Sequence, residues 1–100
     1  MHCKETNEGK TLHIVGSPDI YDAGLLHETL KHYIESHSSI FIDLSEIEGC
    51  DLTTLQLLCA TRRSCENAGK TFTVQACPSS VKEAAAYLGI TEEQLGLGAS

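Results

Sequence analysis

Strand-like and helix-like periods alternate along this chain, which predicts an α/β fold: a mixed, mostly parallel sheet of four to five strands packed with about four helices. Three observations carry the prediction. The apolar run Ile40-Phe41-Ile42 is too short for a helix and lies between two amphipathic helical periods, near 22–36 and 51–68. Thr11–Val15 and Thr71–Gln75 alternate apolar and polar side chains with period two. Gly16-Ser17-Pro18, Ala68-Gly69-Lys70 and Pro78-Ser79-Ser80 punctuate the chain where one period gives way to the next.

Taken in order, Leu12 and Ile14 occupy one side of the first clear strand and Thr11 and His13 the other. Residues 3–7 pair with it through the turn signal Asn7-Glu8-Gly9, adding an antiparallel edge. Asp22 is placed to cap the first helix, whose apolar stripe is Leu26, Leu30 and Tyr33 with Ala23 and Ile34. Glu28, Lys31 and Glu35 face water, at spacings that let Lys31 pair with either carboxylate. Ile40–Ile42 shows no alternation, so it belongs at the sheet centre, covered on both faces.

The second helix starts near Asp51 or Leu52. Its core stripe is Leu58, Thr61, Cys65 and Ala68, widened by Leu55 and Leu57, while Gln56, Ala60, Arg63 and Asn67 form the wet stripe. Phe72 and Val74 are the inward residues of the next strand. Ser80 and Glu83 have capping-box spacing for a third helix with stripe Val81, Ala84, Ala85 and Leu88 and a stop at Gly89. Thr91-Glu92-Glu93-Gln94 repeats that spacing and opens a short last helix.

One hundred residues fit a single domain over 1–100, with one core and no room for a large cavity. The formal net charge of −7 comes from 14 acidic against 7 basic residues, and Arg62-Arg63 is the only adjacent basic pair. That balance points away from nucleic acid and anionic membrane and toward protein partners. Cys3, Cys50, Cys59, Cys65 and Cys77 form no C-x-x-C pair and read as free thiols of a reducing cytoplasm. No segment has the length and apolarity of a membrane span, and the first residues lack the apolar core of a secretion signal.

Several fragments, in this order and spacing, resemble the STAS domain, the fold of bacterial anti-sigma-factor antagonists. Gly16-Ser17-Pro18-Asp19-Ile20 looks like the family's Gly-x-x-Asp-Ile segment, and Ile42-Asp43-Leu44-Ser45 like its strand ending in Asp-Leu. Cys50-Asp51-Leu52-Thr53-Thr54-Leu55-Gln56-Leu57-Leu58 resembles the helix-opening signature, in which an Asp precedes a phosphorylatable Ser or Thr. Gly69-Lys70 and Pro78-Ser79-Ser80-Val81 also fit, so the likeness covers about 10–88. It implies a STAS-like sheet and a regulatory module. In the family, the unphosphorylated domain binds a kinase-type anti-sigma factor, and phosphorylation at the helix start breaks the complex.

Leu52 stands where the family carries the acceptor hydroxyl, leaving Thr53 and Thr54 as phosphorylation candidates. Successive helical residues point about 100° apart, so neither occupies the usual direction. The expected partner-binding surface is Asp19, Asp51, Leu52, Thr53 and Thr54, with Gln56 and Arg63 along the second helix. The partner is a kinase-type anti-sigma factor or related regulator. The alternative is a divergent subunit that binds constitutively in a chemosensory or lipid-transport complex without phosphorylation.

Enzymatic readings are weaker. His27 and His32 stand at i, i+5 and diverge, so they do not begin a metal site. Asp19, Asp43 and Asp51 fall at strand ends or helix starts, where carboxylates satisfy backbone N–H groups. Neither a G-x-x-x-x-G-K-[ST] loop nor a G-x-G-x-x-G turn is present. No catalytic residue, metal or cofactor is expected, and the chain reads as a cytoplasmic binding module.

Overall fold

In the computed structural model, β1 (His2–Thr6), β2 (Thr11–Val15), β3 (Ser39–Asp43) and β4 (Thr71–Gln75) form one sheet in the order β1-β2-β3-β4. The structure describes residues 1–6, 8–49 and 51–97; Asn7 of the expected first turn and Cys50 lie outside the described residues. The first pair is antiparallel and the next two are parallel, with α1 (Ala23–Ser36) joining β2 to β3 and α2 (Leu52–Asn67) joining β3 to β4. The chain continues through α3 (Ser79–Tyr87) and α4 (Glu92–Leu95). The expected mixed, mostly parallel sheet with four helices is therefore observed.

Register decides which face is dry. Leu12 pairs with Ile42 and Ile42 with Val74, while Ile40 pairs with Phe72. These residues and Ile14 share one face, where they are buried against Leu26, Leu30 and Tyr33 of α1 and Leu55, Leu58 and Cys65 of α2. Burying each such aliphatic side chain contributes roughly 1.5–3 kcal/mol. β3 is central, as expected, but it is not covered on both faces. Phe41 points to the opposite side and is only half-buried, because all the packed helices lie against the inner face. An apolar run alone does not distinguish a doubly covered strand from one bearing a single outward phenyl ring.

The outer face carries a polar ladder. Lys4 lies beside His13 across the β1–β2 pair, and His13 beside Asp43 across β2–β3. Thr6 Oγ1 is 2.6 Å from His13 Nε2, and Lys4 Nζ is 2.8 Å from Glu46 Oε2. His13 Nδ1 sits 3.5 Å from Asp43 Oδ1, close enough for charge attraction but without hydrogen-bond geometry. Partial burial raises the Asp43 carboxyl pKa, but Ser45 hydrogen bonds and the His13 and Lys4 charges outweigh it, so the net shift is downward.

Helix boundaries match the expected periods with four corrections. Asp22 holds the N-cap position of α1 as expected, but its side chain makes no capping bond there, and the side-chain cap is made one turn earlier by Asp19. Asp19 accepts the Tyr21 N–H at 2.8 Å and its own N–H donates to Asp22 Oδ2 at 3.0 Å, a capping box that opens a single 3-10 turn, Ile20–Asp22, ahead of α1. Ser80 and Glu83 form no capping box, because Pro78 occupies the cap position and α3 starts at Ser79. Ala68 is the exposed cap residue of α2, and Leu88, at the end of α3, turns outward. Among the described residues Lys31 pairs with neither Glu28 nor Glu35; the ion pairs are Lys4–Glu46 and Arg62–Glu66, joined by His13–Asp43 when the imidazole is protonated. The Thr91 capping box is present, with Gln94 N–H to Thr91 Oγ1 at 3.1 Å.

After α4 the chain returns to the free edge of β4. The Val74 N–H donates to the Gly96 carbonyl at 2.7 Å, and Leu97 bridges Val74. Gly96 has φ +84°, and a Cβ there would lie 2.5 Å from Phe72 Cδ1. Gly96→Ala should therefore destabilise the fold by about 1–3 kcal/mol in denaturant titration. Gly24→Ala, within α1 and with no atom within 4 Å of the added methyl, should instead stabilise it by about 0.5–1 kcal/mol.

Asp43 sets an acid-sensitive component of stability. Its folded pKa lies below the ordinary value, so the contribution is present above the ordinary carboxylate range and is lost as pH falls through the folded pKa. Asp43→Asn should therefore lower the melting temperature at about pH 7, with the gap to wild type shrinking below about pH 4. A pH-independent gap would show that the carboxylate charge contributes nothing.

Candidate functional site at the start of α2

The loops leaving the C-terminal ends of β2 and β3 are tied side by side. Gly16 N–H donates to the Glu46 carbonyl at 3.1 Å, and Glu48 N–H to the Gly16 carbonyl at 2.8 Å. This double link holds the Asp19 turn beside the segment that leads into α2. Asp51 then caps α2, accepting the Thr54 N–H at 3.0 Å and the Thr54 hydroxyl at 3.3 Å on the same oxygen.

The cap orients the next residues. Leu52 faces outward, 45% exposed, and Thr53 is half-buried. Thr54 turns into the protein and is 2% exposed, its hydroxyl held by Asp51. Gln56 and Arg63 are exposed on the outer side of α2. Asp19, Asp43 and Asp51 each accept a backbone N–H in their own turn, from Tyr21, Ser45 and Thr54.

Three of the seven expected surface residues, Leu52, Gln56 and Arg63, line one groove of about 280 Å³ between α2 and the α3–α4 connection. Cys59 and Arg62 complete the α2 wall, and Leu88, Ile90 and Gln94 form the other. Asp19, Asp51, Thr53 and Thr54 do not line it. The opposite wall escaped the sequence reading because residues 88–94 approach α2 only through tertiary packing. Arg62 makes that junction, its Nε donating to the Gln94 carbonyl at 3.0 Å and its Nη1 paired with Glu66. A second feature was also missed: Ile20, Tyr21 and Leu25 are exposed large apolar residues. The available signal was their position outside the Leu26–Leu30–Tyr33 stripe, next to a capping residue.

A family model described as "Mlab, STAS domain" matches residues 1–97. The chain belongs to the STAS-domain family. No curated protein matches it. Solved structures share the fold at low identity. The crystal structure of TM1081 of Thermotoga maritima, described as a "putative anti-sigma factor antagonist", superposes with a TM-score of 0.69 at 16% identity, over 88% of this chain and 77% of the other. An NMR structure of TM1081 gives 0.69 at 15% identity, over 96% and 78%. The unphosphorylated anti-sigma factor antagonist SpoIIAA gives 0.63 at 13% identity, over 93% and 91%. No helix of the described STAS domain is long and apolar enough to cross a membrane.

The thiols on α2 report its orientation. Burial pushes both Cys59 and Cys65 thiols up in pKa, offset in part by Arg63 and Arg62 at Cys59 and by Lys70 at Cys65. With both thiols in the same direction, access decides the rate: Cys65 is fully buried and Cys59 lines the groove. Timed alkylation with peptide mapping should label Cys59 well before Cys65. Equal rates would mean that this face of α2 opens as readily as the groove.

Proposed function

We propose that this STAS domain is a cytoplasmic, non-catalytic binding module that docks on a kinase-type anti-sigma factor or related regulator, in the manner of partner switching. The observation that carries the reading is Leu52, a large aliphatic side chain left 45% exposed at the first turn of a rigidly capped helix. An aliphatic side chain left in water gains free energy when a partner covers it, which suits Leu52 to a docking contact. Asp51 and Thr53 flank it along the chain, Gln56 and Arg63 continue the face along α2, and Asp19 caps the turn that follows the linked β2 loop. Thr54 serves this face from below by fixing the cap.

For a phosphate switch, Thr53 is the better candidate. A phosphate at the start of a helix is tolerated by the monomer, and its charge of about −1.5 to −2 in a docked face breaks the partner contact. Thr54 would have to leave its cap and its burial to be modified. Leu52 at the acceptor position gives weight to a second reading, a subunit that stays bound in a chemosensory or lipid-transport assembly without phosphorylation. Incubation with the kinase-type partner and ATP, followed by intact-mass and site mapping, separates the two: modified Thr53 supports the switch, and an unmodified bound chain supports constitutive binding.

Leu52→Asp tests the docking face itself. A carboxylate at a helix N-terminus favours the monomer by roughly 0.3–1 kcal/mol, whereas the same charge buried unpaired in an interface is strongly unfavourable. The expected outcome is an unchanged or raised melting temperature with partner affinity reduced at least about tenfold, equivalent to about 1.4 kcal/mol. Unchanged affinity in the folded variant would place Leu52 outside the interface.

A further inference from the structure

We propose that the groove between α2 and the α3–α4 connection receives an acidic amphipathic helix of the partner. The inference rests on the docking face just described and adds the chemistry of what enters it.

The shape of the groove favours a helix over an extended strand. Leu52, Gln56, Cys59 and Arg63 fall at i, i+4, i+7 and i+11, one continuous stripe of α2. At about 1.5 Å per residue the stripe runs roughly 16 Å, three helical turns. Both walls are built on helices or their caps, whose interior backbone groups are already satisfied by their own hydrogen bonds. An extended segment entering here would find no strand edge to pair with and would bury unpaired amides. A helix brings its backbone satisfied. Arg62 keeps the two walls together through Gln94, so the groove exists before the partner arrives.

Charge selects the sign of that helix. The chain carries −7 overall, yet the lining contains two guanidinium groups and no carboxylate. Arg62 is committed to Glu66 and the Gln94 carbonyl. Arg63 is exposed and has no carboxylate within ion-pair distance among the described residues. A Glu or Asp on the incoming helix gives Arg63 the bidentate partner its geometry suits. Leu52, 45% exposed, and Leu88, 43% exposed, flank the groove with half-buried Ile90, so the facing side of the helix is apolar. General attraction to an acidic protein would favour a basic peptide, so a preference for an acidic one can only come from this groove.

Two stapled helical peptides of about 12 residues, three turns long, test the proposal. Both carry leucines along one face; one has glutamates flanking that face and the other lysines. Binding is read as protection of Cys59 from alkylation and as amide shifts at 52–63 and 88–94, with Cys77, which does not line the groove, as the control. The glutamate peptide should slow Cys59 labelling at least tenfold at saturation and leave Cys77 unchanged, while the lysine peptide protects neither. In Arg63→Glu the glutamate peptide should lose its protection, with the melting temperature showing that the variant is folded. Equal protection by both peptides, none by the glutamate peptide at millimolar concentration, or protection that survives Arg63→Glu would overturn the proposal. A peptide failure alongside loss of partner binding in Leu52→Asp would leave the docking face standing and remove only the acidic helix.

Discussion

One carboxylate sets the rotational phase of α2, and the candidate site depends on that phase. Asp51 takes both the backbone N–H and the hydroxyl of Thr54 on a single oxygen, so the first turn cannot rotate without losing both bonds. Such a cap stabilises a helix by about 1 kcal/mol. Its larger consequence is geometric. The cap and the burial of Leu55, Leu58 and Cys65 agree on one phase, which turns Leu52, Gln56, Cys59 and Arg63 toward the groove. A shift of one residue would turn the helix by about 100° and exchange core for surface side chains.

The sheet supplies the platform for this helix. Parallel pairing of β2 with β3 brings the ends of both strands to the same side, and the Gly16–Glu46 and Glu48–Gly16 hydrogen bonds continue that pairing into the loops. From these linked loops the chain runs on into a turn with Ile20 and Tyr21 exposed and into a helix start with Leu52 exposed. Each leaves apolar surface in water that the monomer does not bury. The polar ladder on the outer face of the sheet has a different composition, with Lys4, His13, Asp43 and Glu46 partnered among themselves. Among the described residues, the exposed large apolar side chains of Ile20, Tyr21, Leu25, Leu52, Tyr87 and Leu88 therefore all belong to helices and their turns, and none to the sheet.

Local chemistry made much of this legible. Period-two alternation placed Leu12, Ile14, Phe72 and Val74 on the inner face, and the 3.6-residue period placed Leu26, Leu30, Tyr33, Leu58 and Cys65 in the core. Leu52 was readable as outward because it stands at the first helical position, ahead of an otherwise polar face. The errors came where two local solutions compete. Asp19 and Asp22 are both capable caps, and the backbone entering α1 through a 3-10 turn uses both in one box, with Asp19 as the cap. Ser80 and Glu83 have the right spacing for a box, but Pro78 holds the cap position two residues earlier, which moves both out of the required positions.

The sequence by itself determined the order of elements, the inward stripe of each away from the ends of α2 and α3, and the outward stripe of α2, because these follow from side-chain period and capping over a few residues. Only the tertiary structure decided what that outward stripe faces. Leu88 has the spacing of a core residue of α3, yet it turns outward at the end of that helix and lines the groove opposite Leu52. The Arg62–Gln94 link, across 32 residues of chain, draws α4 against α2 and forms the far wall. The closing segment 96–97 hydrogen-bonds to β4, and Gly96 leaves the space for Phe72 that any side chain there would fill. Such approaches between distant segments are set by how whole elements pack, which no local period encodes.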